Sequence, residues 1–197
     1  MKQTVIFFFF LAISICAMGQ KQTLPIDEQG KYTLFEVVNK PGLNVDSLSL
    51  RAKSFFKSSG YKTLKLENLQ GDSIYSAKGK FMVTKAVSGI GHPSGDVDYK
   101  LVLELRNGKY RYKITDFVYT EYERDRYANF VPGTVKTPLE TPPGKLNKSE
   151  WENTMNSVTI QAKKLAQSLK TFINNPVNTN TKKQADKKTE KVETDKW

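Results

Sequence analysis

The chain has 197 residues, enough for one domain with extensions. It holds a single cysteine and a single histidine, too few to anchor a usual zinc or catalytic cluster. A formal net charge of +11 favours anionic partners through an attraction that falls with salt, and equally describes a soluble basic protein with a solvated surface.

The first residues read as a secretory signal. Lys2 gives the positive start, Val5–Ile15 the apolar run and Ala17-Met18-Gly19 a small-x-small cleavage site, so cleavage is expected before Gln20. The apolar run is too short to span a bilayer. Cys16 follows Ile15, where a lipoprotein signal wants Gly or Ala, so the chain is expected to be periplasmic or secreted and not a lipoprotein. The mature chain then has no cysteine, hence no disulfide framework. Losing Lys2 leaves +10, of which the tail 174–197 carries +2 and residues 20–173 carry +8.

Residues 20–30 are polar and predict a loose lead-in. Lys31–Asn39 is β-branched and aromatic and predicts a strand, ended by Pro41-Gly42. Asn44 is a candidate N-cap for a helix to about Ser58, whose apolar positions Val45, Leu48, Ala52, Phe55 and Phe56 share one stripe. Gly60 suits the left-handed stop after it. Tyr61–Glu67 predicts a short strand, and Gln70-Gly71-Asp72 a turn. Ile74–Thr84 predicts a longer strand, with Gly79 marking a bend or the close approach of a helix. Ser88–Gly95 predicts a glycine-rich loop. Its glycines resemble a phosphate loop only faintly, because a strand and not a helix follows. His92 in this loop is expected at the surface.

Val97–Tyr119 is the organising stretch. Two alternating runs flank Asn107-Gly108, a strong hairpin signal that predicts a type I′ turn. A two-residue turn sets Leu105 opposite Tyr110, Leu103 opposite Tyr112, Leu101 opposite Ile114 and Val97 opposite Val118. The core face is then Val97, Tyr99, Leu101, Leu103, Leu105, Tyr110, Tyr112, Ile114 and Val118. The solvent face is Asp98, Lys100, Val102, Glu104, Arg106, Lys109, Arg111, Lys113, Thr115 and Phe117. A slip by one residue would exchange the two sets, so burial pins the register. Asp116 interrupts the core face and needs a partner, a bulge or a position at the sheet margin.

Glu123–Lys148 contains four prolines among residues 132–143 and predicts a long irregular segment. Ser149 with Glu152 forms a candidate capping box. It opens a helix over 149–173 whose stripe is Trp151, Met155, Val158, Ala162, Leu165, Leu169 and Phe172. Three heptads are also compatible with a coiled-coil seam. The stripe is expected on the sheet, because the hairpin's apolar face needs a cover larger than the first helix. Residues 174–197 have little apolar content and are expected to be disordered.

The order strand, helix, four strands, helix, with the runs PGLNVDSLSLRAKSFF (41–56), AKGKFMV (77–83) and VDYKLVLELRNGKYRYKITDF (97–117), resembles a family of secreted bacterial domains of unknown function, common in Bacteroidetes, with a TATA-binding-protein-like fold. The resemblance covers roughly residues 31–122, and NGKYRYKITDF is its most specific part. It implies an α+β fold, a curved antiparallel sheet of about five strands with two helices on one face. It brings no activity, cofactor or catalytic residue, and the namesake's nucleic-acid role does not transfer by analogy of fold. Nucleic acid is also not expected as a partner of an exported chain.

One surface stands out. Lys78 and Lys80 from one strand and Lys100, Arg106, Lys109, Arg111 and Lys113 from the hairpin should all point outward, offset by Asp98 and Glu104 alone, with Val102, Met82 and Phe117 as apolar spots. Basic groups interleaved with apolar ones suit a polyanion such as anionic lipid, lipopolysaccharide or an acidic glycan. A solvated sheet face is also commonly Lys-rich, and Glu104 with Arg111 is readable as a cross-strand pair. Two other readings stand beside it: assembly with another envelope protein through a sheet edge or the second helix, and a hydrolase using Glu121, Glu123 or Asp125. Paired carboxylates can serve glycoside hydrolysis, but mixed charges leaving a strand are usually a solvated surface. No metal or cofactor is expected.

Overall fold

The computed structural model describes residues 23–58, 60–87, 90–141 and 147–175. The expected leader (1–19) and the tail from residue 176 lie outside them. The elements are β1 (Leu34–Asn39), α1 (Val45–Ser58), β2 (Lys65–Gln70), β3 (Ile74–Val87), β4 (Ile90–Arg106), β5 (Lys109–Arg124), β6 (Phe130–Pro138) and α2 (Lys148–Asn174). All pairings are antiparallel, in the order β1-β5-β4-β3-β2, with β6 also on β5. β1 pairs with residues 109–114 of β5 and β6 with residues 118–124, so these two strands follow one another along the same side of β5.

The expected hairpin register holds from Arg106↔Lys109 to Lys100↔Thr115. The turn itself differs from expectation. Only Gly108 has positive φ (74°), the pattern of a type II turn and not of type I′. The tip is docked and not free: the Val45 N–H donates to Asn107 Oδ1 (3.0 Å), the Gly108 N–H to the Leu43 carbonyl (2.8 Å) and the Lys40 N–H to the Gly108 carbonyl (2.7 Å). Asn44 caps α1 as its sequence suggests, accepting from the Ser47 N–H at 2.9 Å.

Beyond Lys100 the register shifts. Lys100 faces Thr115, but Asp98 faces Val118 and Val97 faces Tyr119, so Tyr99 opposes two residues. The extra residue is Asp116, at φ 57°, whose carboxylate pairs with Lys31. This bulge exchanges the faces of everything after it. Phe117, expected on the solvent face, is buried in the core, and Val118, expected in the core, is half-exposed. Thr115 stays on the outer face but is buried there by Thr33, whose hydroxyl lies 3.0 Å from its own.

Three further segments differ from expectation. β4 begins at Ile90, so the expected glycine-rich loop is mostly strand. Pro93 is accommodated because Ser94 bulges out of register between it and Gly95. The expected irregular segment contains the sixth strand, whose prolines 132 and 138 sit on a sheet edge where a missing N–H costs little. The lead-in is not loose. Leu24 is buried, and Asp27 ties a tight turn by accepting from the N–H groups of Gln29 and Lys31, both at 3.0 Å.

Both helices lie on the core face. α1 contributes Leu48, Ala52 and Phe55, and α2 contributes Met155, Val158, Ala162, Leu165, Leu169 and Ile173. They cover Tyr75, Phe81, Tyr99, Leu101, Leu103, Tyr110, Tyr112, Ile114 and Phe117. The stripe of α2 is therefore core and not a coiled-coil seam. The helix starts at Lys148 after Asn147, with no side-chain cap, so the expected capping box at Ser149 is not used. Gly79 is required by a neighbouring strand and not by a helix: a Cβ there would stand 2.3 Å from Tyr99 Oη. Tyr99 in turn stacks on Phe81 with ring centroids 4.1 Å apart.

The hydroxyls of the core tyrosines fare differently. Tyr112 Oη donates to Glu36 and Tyr75 Oη lies 2.7 Å from Ser49 Oγ, while those of Tyr99 and Tyr110 are buried without a partner among the described residues. Removing an unsatisfied hydroxyl costs nothing in hydrogen bonding, whereas removing one bound to a carboxylate does. Tyr99→Phe is expected to leave urea-unfolding stability unchanged or raised, and Tyr112→Phe to lower it by roughly 1.5–3 kcal/mol.

Candidate functional site

The outer face of the sheet can be read row by row from the strand registers. One row runs Phe35, Lys113, Val102, Ser76 and the next Val37, Arg111, Glu104, Ile74. Lys100 and Lys78 are neighbours in a third row, and Arg106 and Lys109 close the hairpin tip. All seven cations singled out in the sequence therefore lie on this face, and so do Val102 and Met82. Phe117 does not, and its place as an aromatic spot is taken by Phe35, 52% exposed, with Val37 beside it at 49%.

More carboxylates reach this face than the two expected. Arg111 Nη2 pairs with Glu104 at 2.7 Å, Lys113 with Asp27 at 2.8 Å and Lys78 with Glu67 at 2.8 Å. Lys80 stands between Asp96 (3.8 Å) and Asp98 (3.5 Å). Among the described residues, Lys100, Arg106 and Lys109 have no carboxylate partner. Of these three, Arg106 and Lys109 sit together at the hairpin tip, and Lys100 lies farther along β4 beside Lys78.

The turn at Asp27 gives the face a wall. Between it and the strands lies a groove of about 450 Å³, floored by Phe35 and Val102 and bordered by Asp27, Glu28, Thr33, Glu104, Arg111 and Lys113. A smaller recess of about 130 Å³ adjoins it through Glu104 and Arg111 and reaches Val37, Arg106 and Lys109. Asp27, Glu28 and Phe35 were not among the residues singled out in the sequence. The available signal was the short polar turn Asp27–Gly30 before a strand, which says nothing of where the turn folds back. The bond from Lys113, helped by the Lys31 N–H, holds the Asp27 carboxyl well below the usual carboxylate range. On the other face, Tyr112 and Lys170 lower the Glu36 carboxyl, and burial pushes the Tyr110 hydroxyl up to about 12.

The acids considered for hydrolysis serve structure in part. Asp125 Oδ1 accepts from the N–H groups of Tyr127 (2.8 Å) and Asn129 (2.9 Å), which closes the β5–β6 turn. His92 stacks on Phe130 with centroids 5.1 Å apart. Among the described residues no three His, Cys, Asp or Glu side chains are grouped to hold a metal ion.

An antiparallel sheet with two helices on one face and a charged outer face defines a TATA-binding-protein-like α+β module. Residues 34–120 match the model of DUF4468, a domain of unknown function with TBP-like fold, and this stretch is similar to that family. The structure is similar to a TBP-like protein from Parabacteroides distasonis ATCC 8503, with a TM-score of 0.60 and 13% identity over 78% of this chain and 99% of that one. It is also similar to a DUF4468 family protein from Bacteroides ovatus ATCC 8483, with a TM-score of 0.54 and 10% identity over 78% of this chain and 91% of that one. At these identities the likeness is one of fold. No curated protein matches the chain.

The Asp27 bond set has a sign. Its carboxyl is depressed in the folded state, so its contribution is complete at neutral pH and is lost as pH falls below the unfolded value of about 3.9. Asp27→Asn is expected to lower thermal stability at pH 7 and to speed amide exchange over residues 24–33. The difference in Tm from the unmodified chain should be smaller at pH 2 than at pH 7, and an equal difference at both would contradict this assignment.

Proposed function

We propose that the protein is an exported binding module whose outer sheet face recognises an anionic ligand of the cell envelope that also carries an apolar part. The observation that carries this reading is the pair of cations without carboxylate partners at the hairpin tip, Arg106 and Lys109, in the recess beside exposed Val37 that adjoins the groove over Phe35 and Val102. Cations without internal carboxylates need not give up a partner to meet a phosphate or carboxylate. Exposed apolar groups on the same face suit an acyl chain or the apolar face of a sugar. The leader-like start of the chain supports export, and the charge of the body supports attraction to an anionic surface.

Retention on vesicles containing anionic phospholipid, on lipopolysaccharide and on an acidic polysaccharide separates the lipid and glycan sources of the anion. Arg106→Glu with Lys109→Glu is expected to weaken retention on the preferred matrix by more than about tenfold at low salt, since each cation near an anionic surface contributes about 1 kcal/mol. Lys57→Glu with Lys164→Glu, on the helices, changes net charge equally and is expected to retain binding. Equal retention by both double variants would overturn the reading.

A further inference from the structure

The edges of this sheet are not treated alike. β2 at one end carries Lys65 and Glu67 and a bulge between Leu66 and Asn68. β6 carries Pro132, Lys136 and Pro138. Charges, prolines and bulges are the usual means by which an edge strand is kept from pairing with another chain. β1 (LFEVVN) has none of them on its open side. Its one charged residue, Glu36, faces the core side, where it is engaged by Tyr112 and Lys170.

Which backbone groups of β1 are open follows from the hairpin. Arg106 and Lys109 close a two-residue turn, so odd residues of β5 bond to β4 and even ones to β1. Even residues of β1 therefore bond to β5, in keeping with the Lys40 N–H on the Gly108 carbonyl. The N–H and C=O groups of Phe35, Val37 and Asn39 point away from the sheet, and no strand pairs with them among the described residues. Thr33 closes one end of this window by donating its N–H to the Pro25 carbonyl at 2.9 Å. The turn at Pro41-Gly42 closes the other.

We infer that β1 is a homodimer edge, pairing antiparallel with β1 of a second copy about a two-fold axis through Val37. This register pairs Val37 with Val37 and Phe35 with Asn39 of the other copy, so the whole open window satisfies itself. It also sets Glu36 opposite Val38 and avoids a like-charge pair, which the register one step away would create. A second copy is favoured over a free peptide because its edge is already ordered in the sheet, whereas a peptide must lose its chain entropy on docking. The axis stands normal to the sheet, so both outer faces look the same way. Phe35 and Val37 of the two copies then form one apolar strip, flanked on each side by the Lys109, Arg111 and Lys113 strand.

The chain from Gln20 retains every described element and has no cysteine, which makes single-cysteine reporters clean. Residues facing across a hydrogen-bonded antiparallel pair stand about 5.5 Å apart at Cα, within disulfide reach. Val37→Cys is expected to form a disulfide-linked dimer under mild oxidation. Phe35→Cys, whose copies would lie about 13 Å apart along the strands, is not. Without cysteine, sedimentation should give a concentration-dependent dimer, and Val37→Lys should weaken it at least about tenfold while circular dichroism stays unchanged. A monomer at all concentrations, equal dimerisation of V37K, or faster cross-linking of F35C than of V37C would overturn the inference. None of these readouts involves an anion, so failure here and failure of the proposed function are separable.

Discussion

Arg106 and Lys109 face each other across only two residues, and that closure sets the register of β4 on β5 and, through β5, of β1 as well. Burial reinforces it, because every second residue on one side of the hairpin is a large apolar group that a slip would turn into water. The tip is held from outside the hairpin too, since Asn107 and Gly108 bond to the connection between β1 and α1. The start of the first helix and the sheet register are therefore fixed by the same few peptide groups.

The bulge at Asp116 divides β5 into two stretches with opposite facing. Before it, odd residues look outward and supply Lys109, Arg111 and Lys113. After it, Phe117 turns into the core, and the strand continues to pair with β6. Lys31 meets the Asp116 carboxylate and draws the N-terminal segment toward the sheet. That segment puts Asp27 against Lys113 and makes a groove from what would otherwise be an open face.

Much of this was legible in the chain. The 107–108 turn, the alternation on either side of it, the stripe of α2 and the cap at Asn44 are short-range patterns whose physics is local. The cations of the outer face followed from the same alternation. The rest depended on distance in sequence. Asp116 was visibly anomalous, but alternation cannot say that a bulge reverses every later residue. Pro132 and Pro138 argued against strand structure and would have been right for a central strand; they are tolerated because β6 lies at an edge. The groove wall at Asp27 is made by a side chain 86 residues from its partner Lys113, a contact for which the sequence holds no periodic signal.

The inner surface of the sheet also bears on how the chain is made. Its tyrosine-rich floor is complete once Phe117 has been synthesised, yet more than half of the helical cover comes from α2, which ends at Asn174. A nascent chain must therefore hold this surface open until α2 emerges. Closure of the core waits on α2, and before that moment the unroofed sheet is a natural substrate for chaperones.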